Sequence, residues 1–224
     1  MKMGYKIAKR AFDITASLMA ALVFLIPWVV ISVVIKIQSP GPVLFKPERV
    51  GKNGKTFTLY KFRSMQVDSG AIHTTTLRGD PRIFPFGAFL RKSKLDETPQ
   101  LINILEGHMS VIWPRPEDKV NADKLYAGKY KEIRSVKPGL SSPASLYDYT
   151  HGETYENEED YVREFEPRKL DVELYYVRHR SAVYDLQIVW RTAVTILQMI
   201  GGKKEFKEPG EVKKAYTANN VGTK

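Results

Sequence analysis

The chain has 224 residues, 43% of them hydrophobic, with 12 Tyr, 10 Phe and 3 Trp, so it can build a core and is not a disordered chain. It contains no Cys, which excludes a disulfide framework, a thiolate nucleophile and a Cys-based zinc site. The net charge of +10 sits in one part: residues 1–100 hold 16 Lys/Arg against 6 Asp/Glu, whereas residues 101–224 hold 19 of each, so the N-terminal part calls for an anionic partner (phospholipid headgroups, nucleic acid or a phosphorylated ligand).

The first predicted element is hydrophobic. From Ile14 to Ile35 there are 22 residues without formal charge. As a straight helix this is roughly 33 Å at about 1.5 Å per residue, enough to cross a bilayer core of about 30 Å. A core helix would pass the same test, and a cleaved signal peptide lacks a small-x-small site before Lys36. Pro27 removes a backbone donor near the middle and predicts a break. Lys2, Lys6, Lys9 and Arg10 precede the segment; Lys36, Lys46, Arg49, Lys52 and Lys55 follow it. Both basic flanks obey the positive-inside rule only if the chain returns to the side it entered, so a re-entrant helix-break-helix is expected, with an ordinary kinked span as the alternative.

Ser39-Pro40-Gly41-Pro42 ends the segment. Val43–Phe45 and Thr56–Tyr60 read as strands around Gly51-Lys52-Asn53-Gly54, a hairpin signal. Residues 66–82 read as a polar loop. A helix is predicted within Phe89–Glu106, with Leu101, Ile104 and Leu105 on one face. Further helices are predicted over 119–134, 167–180 and Ser181–Ile200, the last stopped by Gly201-Gly202. The apolar set of that last helix is broad, which suits a core or the membrane interface. Glu153–Glu166 holds seven acids and one Arg and reads as a solvated stretch. The fold class is therefore α+β: an N-terminal re-entrant membrane helix-break-helix, then a mainly helical cytoplasmic domain with a small β-hairpin. The expected divisions are an anchor over 1–38, one compact domain over 39–202 and a polar, mobile tail over 203–224.

Candidate chemistry centres on Arg91-Lys92-Ser93-Lys94-Leu95-Asp96-Glu97-Thr98-Pro99-Gln100. Pro99 suits the first position of a helix with Thr98 as its cap, which puts Asp96 and Glu97 just before a helix start. Acids there can simply complement the helix dipole. Surrounded by cations, they can also form a phosphate-and-metal site, with one carboxylate attacking phosphorus and Mg²⁺, Lys and Arg neutralising the charge. Arg115 is presented stiffly between Pro114 and Pro116 and can grip phosphate bidentately. Lys61 and Arg63 alternate at a strand end and should share a face. His73, His108, His151 and His179 show no metal-ligand spacing, and no nucleotide or dinucleotide loop motif is present.

These runs resemble the monotopic phosphoglycosyl transferases, the bacterial sugar transferase family. The matching runs are Lys9-Arg10-x-Phe12-Asp13, Pro27, Ser39-Pro40-Gly41-Pro42-Val43, Glu48-Arg49-Val50-Gly51, Lys61-Phe62-Arg63-Ser64-Met65, Leu95-Asp96-Glu97-Thr98-Pro99-Gln100-Leu101, Pro114-Arg115-Pro116, Lys137-Pro138-Gly139, and Tyr176-Val177 with Asp185-Leu186. They keep the family's order from residue 9 to 195. The resemblance implies that Asp96 is the nucleophile on the β-phosphate of a UDP-sugar, that UMP leaves, and that undecaprenyl phosphate then takes the phosphosugar from Asp96. It implies that Glu97 assists, that Mg²⁺ sits by Asp96 and Glu97, and that Lys61, Arg63, Arg91, Arg115 and Asp185 bind phosphate or line the site. It also implies a bacterial inner-membrane location with the domain on the cytoplasmic face, membrane lipid as a partner, no nucleic acid, and a homodimer as an open alternative. The chain departs from the family's usual residues at Ile26, His108, Trp113, Ser141-Ser142-Pro143 and Glu173; the departures at Trp113 and residues 141–143 bear on sugar specificity. The competing expectation is a non-catalytic membrane adaptor that binds anionic lipid or nucleic acid through the basic N-terminal half.

Overall fold

A computed structural model describes residues 3–67, 80–155 and 157–220. Most of the loop expected over 66–82, together with Glu156, lies outside them. The chain is mainly helical. Helix α1 (Met3–Gln38) is followed by the strands β1 (Leu44–Phe45), β2 (Glu48–Val50), β3 (Thr56–Thr58) and β4 (Lys61–Phe62). Then come α2 (Pro85–Ser93), α3 (Gln100–Leu105), β5 (Ser110–Ile112), α4 (Lys119–Leu125), β6 (Gly139–Ser141) and α5 (Pro143–His151). The remainder is helical: α6 (Glu158–Asp160) running through a π-helical turn at Tyr161–Phe165, α7 (Glu166–His179), α8 (Ala182–Ile200) and α9 (Gly210–Asn220).

Helix α1 carries one narrow inward stripe. Lys9, Asp13, Ser17, Ile31 and Ile35 are buried, and Ala20, Ala21, Phe24 and Trp28 pack between them against Phe57, Leu59, Leu101 and Ile104, at the three-to-four-residue spacing of a single helix face. The polar residues at its start bond to the domain. Arg10 donates to the carbonyls of Ile104 (2.6 Å) and Leu105 (2.9 Å), capping the end of α3, and Asp13 accepts from the Ser110 hydroxyl (2.9 Å) and the Val111 N–H (3.0 Å). At the far end Gln38 accepts from the Phe86 N–H at 3.0 Å. The other side of α1, including Leu18, Leu22, Val23, Ile26, Val29, Val30 and Val33, is exposed and apolar.

The expected break at Pro27 does not interrupt the helix, which continues through it for 36 residues. Proline removes a single intrahelical bond, and Phe24 and Trp28 on either side of it both pack on the domain, so neighbouring contacts hold the helical path.

The hairpin turn lies at Gly51–Gly54 as expected, but its strands are Glu48–Val50 and Thr56–Thr58, not Val43–Phe45 and Thr56–Tyr60. β2 pairs antiparallel with β3, Val50 opposite Thr56, around a turn in which Asn53 (φ 57°) and Gly54 (φ 81°) adopt left-handed conformations. β1 pairs antiparallel with β4, and β5 pairs parallel with β6. At the last pair a side chain on Gly139 would put its Cβ 2.2 Å from the Trp113 backbone, so the Lys137-Pro138-Gly139 run needs glycine for close approach of two strands.

Three further expectations differ. The helix within Phe89–Glu106 is split into α2 and α3 by Lys94 in a left-handed conformation (φ 56°). The segment 119–134 is α4 followed by a 3₁₀ stretch over Gly128–Ser135. The tail is not uniformly loose: α9 buries Ala215 against Val172 and Ala144, and Arg191 donates to Glu211. Its apolar positions are few, which is why composition read as a mobile tail.

Candidate active site

Asp96 and Glu97 lie in a 3₁₀ turn, Leu95–Glu97, that feeds directly into α3. Thr98 and Pro99 are already helical, and the Thr98 hydroxyl donates back to the Leu95 carbonyl at 2.8 Å. Thr98 is therefore not the cap the sequence suggested; helical geometry starts earlier, at the dyad itself. The Trp28 indole N–H donates to the Thr98 hydroxyl at 2.9 Å, which ties this turn to the middle of the apolar helix α1.

Both acids are buried, Asp96 to 1% exposure and Glu97 to 6%. Lys61 reaches Asp96 Oδ2 at 2.8 Å from β4. It is aimed there because Asn103 on α3 clamps the strand link, donating to the Thr58 carbonyl (2.8 Å) and accepting from the Tyr60 N–H (2.9 Å). The second oxygen of Asp96, Oδ1, is buried and has no hydrogen-bond partner among the described residues. A buried acceptor left open beside a cation is costly in a folded protein unless a ligand or ion completes it.

Glu97 is gripped bidentately by Arg115, each guanidinium nitrogen 2.9 Å from a different carboxylate oxygen. Burial alone would raise the Glu97 pKa, but the Arg115 guanidinium, with Lys61 and Lys94, holds its carboxyl well below the usual range. Arg115 also donates to the Tyr149 hydroxyl from α5, and the Lys94 ammonium sits 3.8 Å from the Tyr149 ring centroid. Burial pushes the Tyr149 phenol up, so it stays neutral. Tyr149 and Lys94 are site residues that sequence reasoning missed. Lys94 had a signal, two residues before Asp96. Tyr149 had none, because only the tertiary fold brings α5 to the Arg115 loop.

Of the expected site residues, Asp96, Glu97, Lys61 and Arg115 come together. Arg63 does not join them. It is buried and donates to the Ser39 hydroxyl (2.8 Å), the Ser39 carbonyl (2.5 Å) and the Pro40 carbonyl (2.9 Å), closing the turn after α1. β4 ends at Phe62, so the strand alternation that would give Lys61 and Arg63 one face lapses there. Asp185 is also elsewhere: it accepts from Lys9 (2.8 Å), Tyr5 (2.9 Å) and Tyr176 (2.5 Å), a buried latch between α1, α7 and α8. Arg91 lies in the last turn of α2, where its charge is felt by Asp80. Pro27 lies within α1, one residue from the Trp28 contact to the dyad turn. Among the described residues no group of three or more His, Cys, Asp or Glu gathers for a metal. The carboxylate set offers one open oxygen, Asp96 Oδ1, with both Glu97 oxygens held by Arg115.

Comparisons with known proteins give the family. The chain is 39% identical over 204 residues to the exopolysaccharide production protein PSS of Rhizobium leguminosarum bv. phaseoli, covering 85% of this chain and 96% of that one. It is 35% identical over 206 residues to the UDP-N-acetylgalactosamine-undecaprenyl-phosphate N-acetylgalactosaminephosphotransferase of Aeromonas hydrophila. It is 36% identical over 191 residues to the UDP-glucose:undecaprenyl-phosphate glucose-1-phosphate transferase of Escherichia coli (strain K12). These last two matches cover 89% and 84% of this chain but only 46% and 39% of the relatives, so the chain spans less than half of those longer proteins. Residues 4–199, from the start of α1 to the end of α8, match the family described as bacterial sugar transferase, and the chain belongs to that family.

Proposed function

We propose that this chain transfers a phosphosugar from a UDP-sugar to undecaprenyl phosphate at the membrane surface, through a covalent phosphosugar on Asp96, and so begins the synthesis of an exopolysaccharide or other glycoconjugate. The observation that carries the reading is Asp96 itself. It is a buried carboxylate with one open oxygen, set among Lys61, Lys94 and Arg115, in a turn bonded to the apolar helix. The relatives named as sugar-1-phosphate transferases support the reaction type. The family match does not favour the adaptor alternative.

The chemistry divides into two displacements. Asp96 Oδ1 attacks the β-phosphorus of the donor, the bond from that phosphorus to the bridging oxygen breaks, and UMP departs with the electron pair. An oxygen of the lipid phosphate then attacks the same phosphorus and Asp96 leaves as carboxylate, which predicts ping-pong kinetics. Lys61 is paired with Asp96 before substrate arrives, which holds the nucleophile in place. When the diphosphate binds, the Lys61 ammonium moves onto phosphate and frees the carboxylate. Arg115 is fixed by Glu97 and Tyr149 and holds a steady positive charge against the transferring group. Mg²⁺ would be held here by the open oxygen of Asp96 and substrate phosphates, with Glu97 as the neighbouring carboxylate. When bound, the ion neutralises charge on the diphosphate.

The membrane reading follows from where α1 makes contacts. A helix of 36 residues is about 54 Å long at about 1.5 Å per residue. Tyr5, Lys9, Trp28, Ile35 and Gln38 all touch the same domain. A perpendicular span would draw that domain into the bilayer. The arrangement instead supports α1 lying along the membrane surface, with its outer apolar face in lipid and both ends on the cytoplasmic side of the inner membrane. Trp190, Leu197 and Ile200 on α8 are exposed and apolar as well, which suits the interface.

The test is to supply the purified protein with undecaprenyl phosphate, Mg²⁺ and UDP-glucose or UDP-N-acetylgalactosamine, and to follow UMP. Release that requires Asp96 is expected; undiminished release from Asp96→Asn would overturn the reading. Tags at both ends of α1 should be protected from a periplasmic protease.

A further inference from the structure

Glu173 is a buried acid that the reaction does not use. It lies on α7 at 4% exposure. Its Oε1 accepts from the Ser142 hydroxyl at 2.8 Å, its Oε2 has no hydrogen-bond partner among the described residues, and the Arg115 main-chain N–H faces the carboxyl. Ser142 is at the same time the cap of α5, accepting from the Ser145 N–H at 2.9 Å, and α5 carries Tyr149 onto the Arg115 guanidinium. One carboxyl therefore touches both supports of Arg115: the Pro114-Arg115-Pro116 loop through its backbone and α5 through its cap. Two positions at which the chain departs from the family's usual residues, Ser142 and Glu173, are bonded to each other.

We propose that Glu173 is a positioning residue for Arg115: it fastens the 114–116 loop and α5 to α7, and a negative charge on it, standing behind that loop, weakens the grip of Arg115 on the donor diphosphate. The inference rests on the reading of Asp96, Glu97 and Arg115 as the reaction site.

The reasons are geometric and electrostatic. An ionised Glu173 would have a buried oxygen with no donor among the described residues, which is costly unless the packing opens. Its charge would also stand behind the loop that presents the Arg115 cation and reduce the potential felt by a diphosphate. The groups facing it are mixed. Lys169 favours ionisation, Glu117 opposes it, and the Tyr126 and Tyr176 phenols share the pocket, with Arg134 stacked on Tyr126. Burial dominates and pushes the Glu173 carboxyl up to about 7, within the range where a cell's pH acts on it.

The experiment measures the first half-reaction alone, as UMP formed from radiolabelled UDP-glucose or UDP-N-acetylgalactosamine, from pH 5.5 to 8.5. The donor's diphosphate diester does not titrate near neutrality, so a pH dependence in KM belongs to the protein. KM in the unmodified protein should rise about three- to tenfold with a midpoint near neutrality, as expected for one charge appearing near a phosphate site. Glu173→Gln keeps the hydrogen-bonding shape without the titration and should give a flat KM. Ser142→Ala removes a bond that favours the ionised form and should move the midpoint to higher pH. A KM step that persists unchanged in Glu173→Gln overturns the proposal, as does a Ser142→Ala midpoint that stays put should the Gln variant fail to fold. Loss of the reaction in Asp96→Asn is read separately: if turnover survives there, the site reading fails, whatever Glu173 does.

Discussion

Replacing Arg115 by Ala should leave Glu97 buried at 6% exposure with both carboxylate oxygens stripped of their 2.9 Å donors. Removing one partner of a buried, hydrogen-bonded ion pair destabilises by about 3–5 kcal/mol, because the surviving charge is uncompensated. For a chain of this size roughly 2–4 °C of melting temperature corresponds to each kcal/mol, so a fall of about 6–20 °C is expected at pH 7.5. The sign of the pH dependence follows from the Glu97 shift. In the unmodified protein its folded-state pKa lies below the unfolded value of 4.5, so the pair contributes above that value and its contribution is lost only as pH falls through the lower, folded one. Without Arg115, burial raises the Glu97 pKa, the group is protonated in mild acid, and the penalty should shrink towards pH 4.5. Glu97→Gln together with Arg115→Ala leaves no lone charge and should recover much of the loss. The assay is thermal unfolding by near-ultraviolet circular dichroism in lipid nanodiscs, as a double-mutant cycle. A drop of under about 2 °C for the single variant, or a double variant no more stable than the sum of the singles, would refute a buried and tightly coupled pair.

Glu173 makes a stability prediction independent of turnover. Its folded pKa of about 7 lies above the unfolded value of 4.5, so the folded state holds the proton more tightly, and stability falls as pH rises from 4.5 to 7. The full penalty above pH 7 is on the order of 3 kcal/mol, so Glu173→Gln should melt higher than the unmodified protein at pH 8 and alike at pH 5; equal melting at both would contradict the buried-acid assignment. Gly139→Ala would place a Cβ 2.2 Å from the Trp113 backbone, so β5 and β6 must separate, and expression of folded protein should fall sharply; a normal melting curve would remove the close approach.

The legible parts of the fold were those written in local sequence. Twenty-two uncharged residues announce α1, and Gly51-Lys52-Asn53-Gly54 announces the β2–β3 hairpin because two of its residues take left-handed backbone angles. Asp96, Glu97, Lys61 and Arg115, which the fold brings together, each stand in a run whose chemistry suits phosphate. Other features depend on partners far along the chain. The three-residue strands β5 and β6 pair only through tertiary packing. Arg63 and Asp185 look like site charges in sequence, yet the fold commits one to the turn after α1 and the other to Lys9, 176 positions away. The Lys9-Arg10-x-Phe12-Asp13 run read as a membrane flank, but Lys9, Arg10 and Asp13 are docking contacts that fasten α1 to the domain. Pro27 was the strongest local signal for a break, and the contacts of Phe24 and Trp28 on either side carry the helix past it.

The most direct measurement is intact-protein and peptide mass spectrometry after mixing the purified protein with UDP-glucose or UDP-N-acetylgalactosamine and Mg²⁺, with undecaprenyl phosphate withheld. A phosphosugar adduct on the peptide containing Asp96, discharged when undecaprenyl phosphate is added and lacking in Asp96→Asn, is the expected result. Steady transfer to lipid with an unmodified Asp96 peptide at every stage would contradict a covalent carboxylate nucleophile.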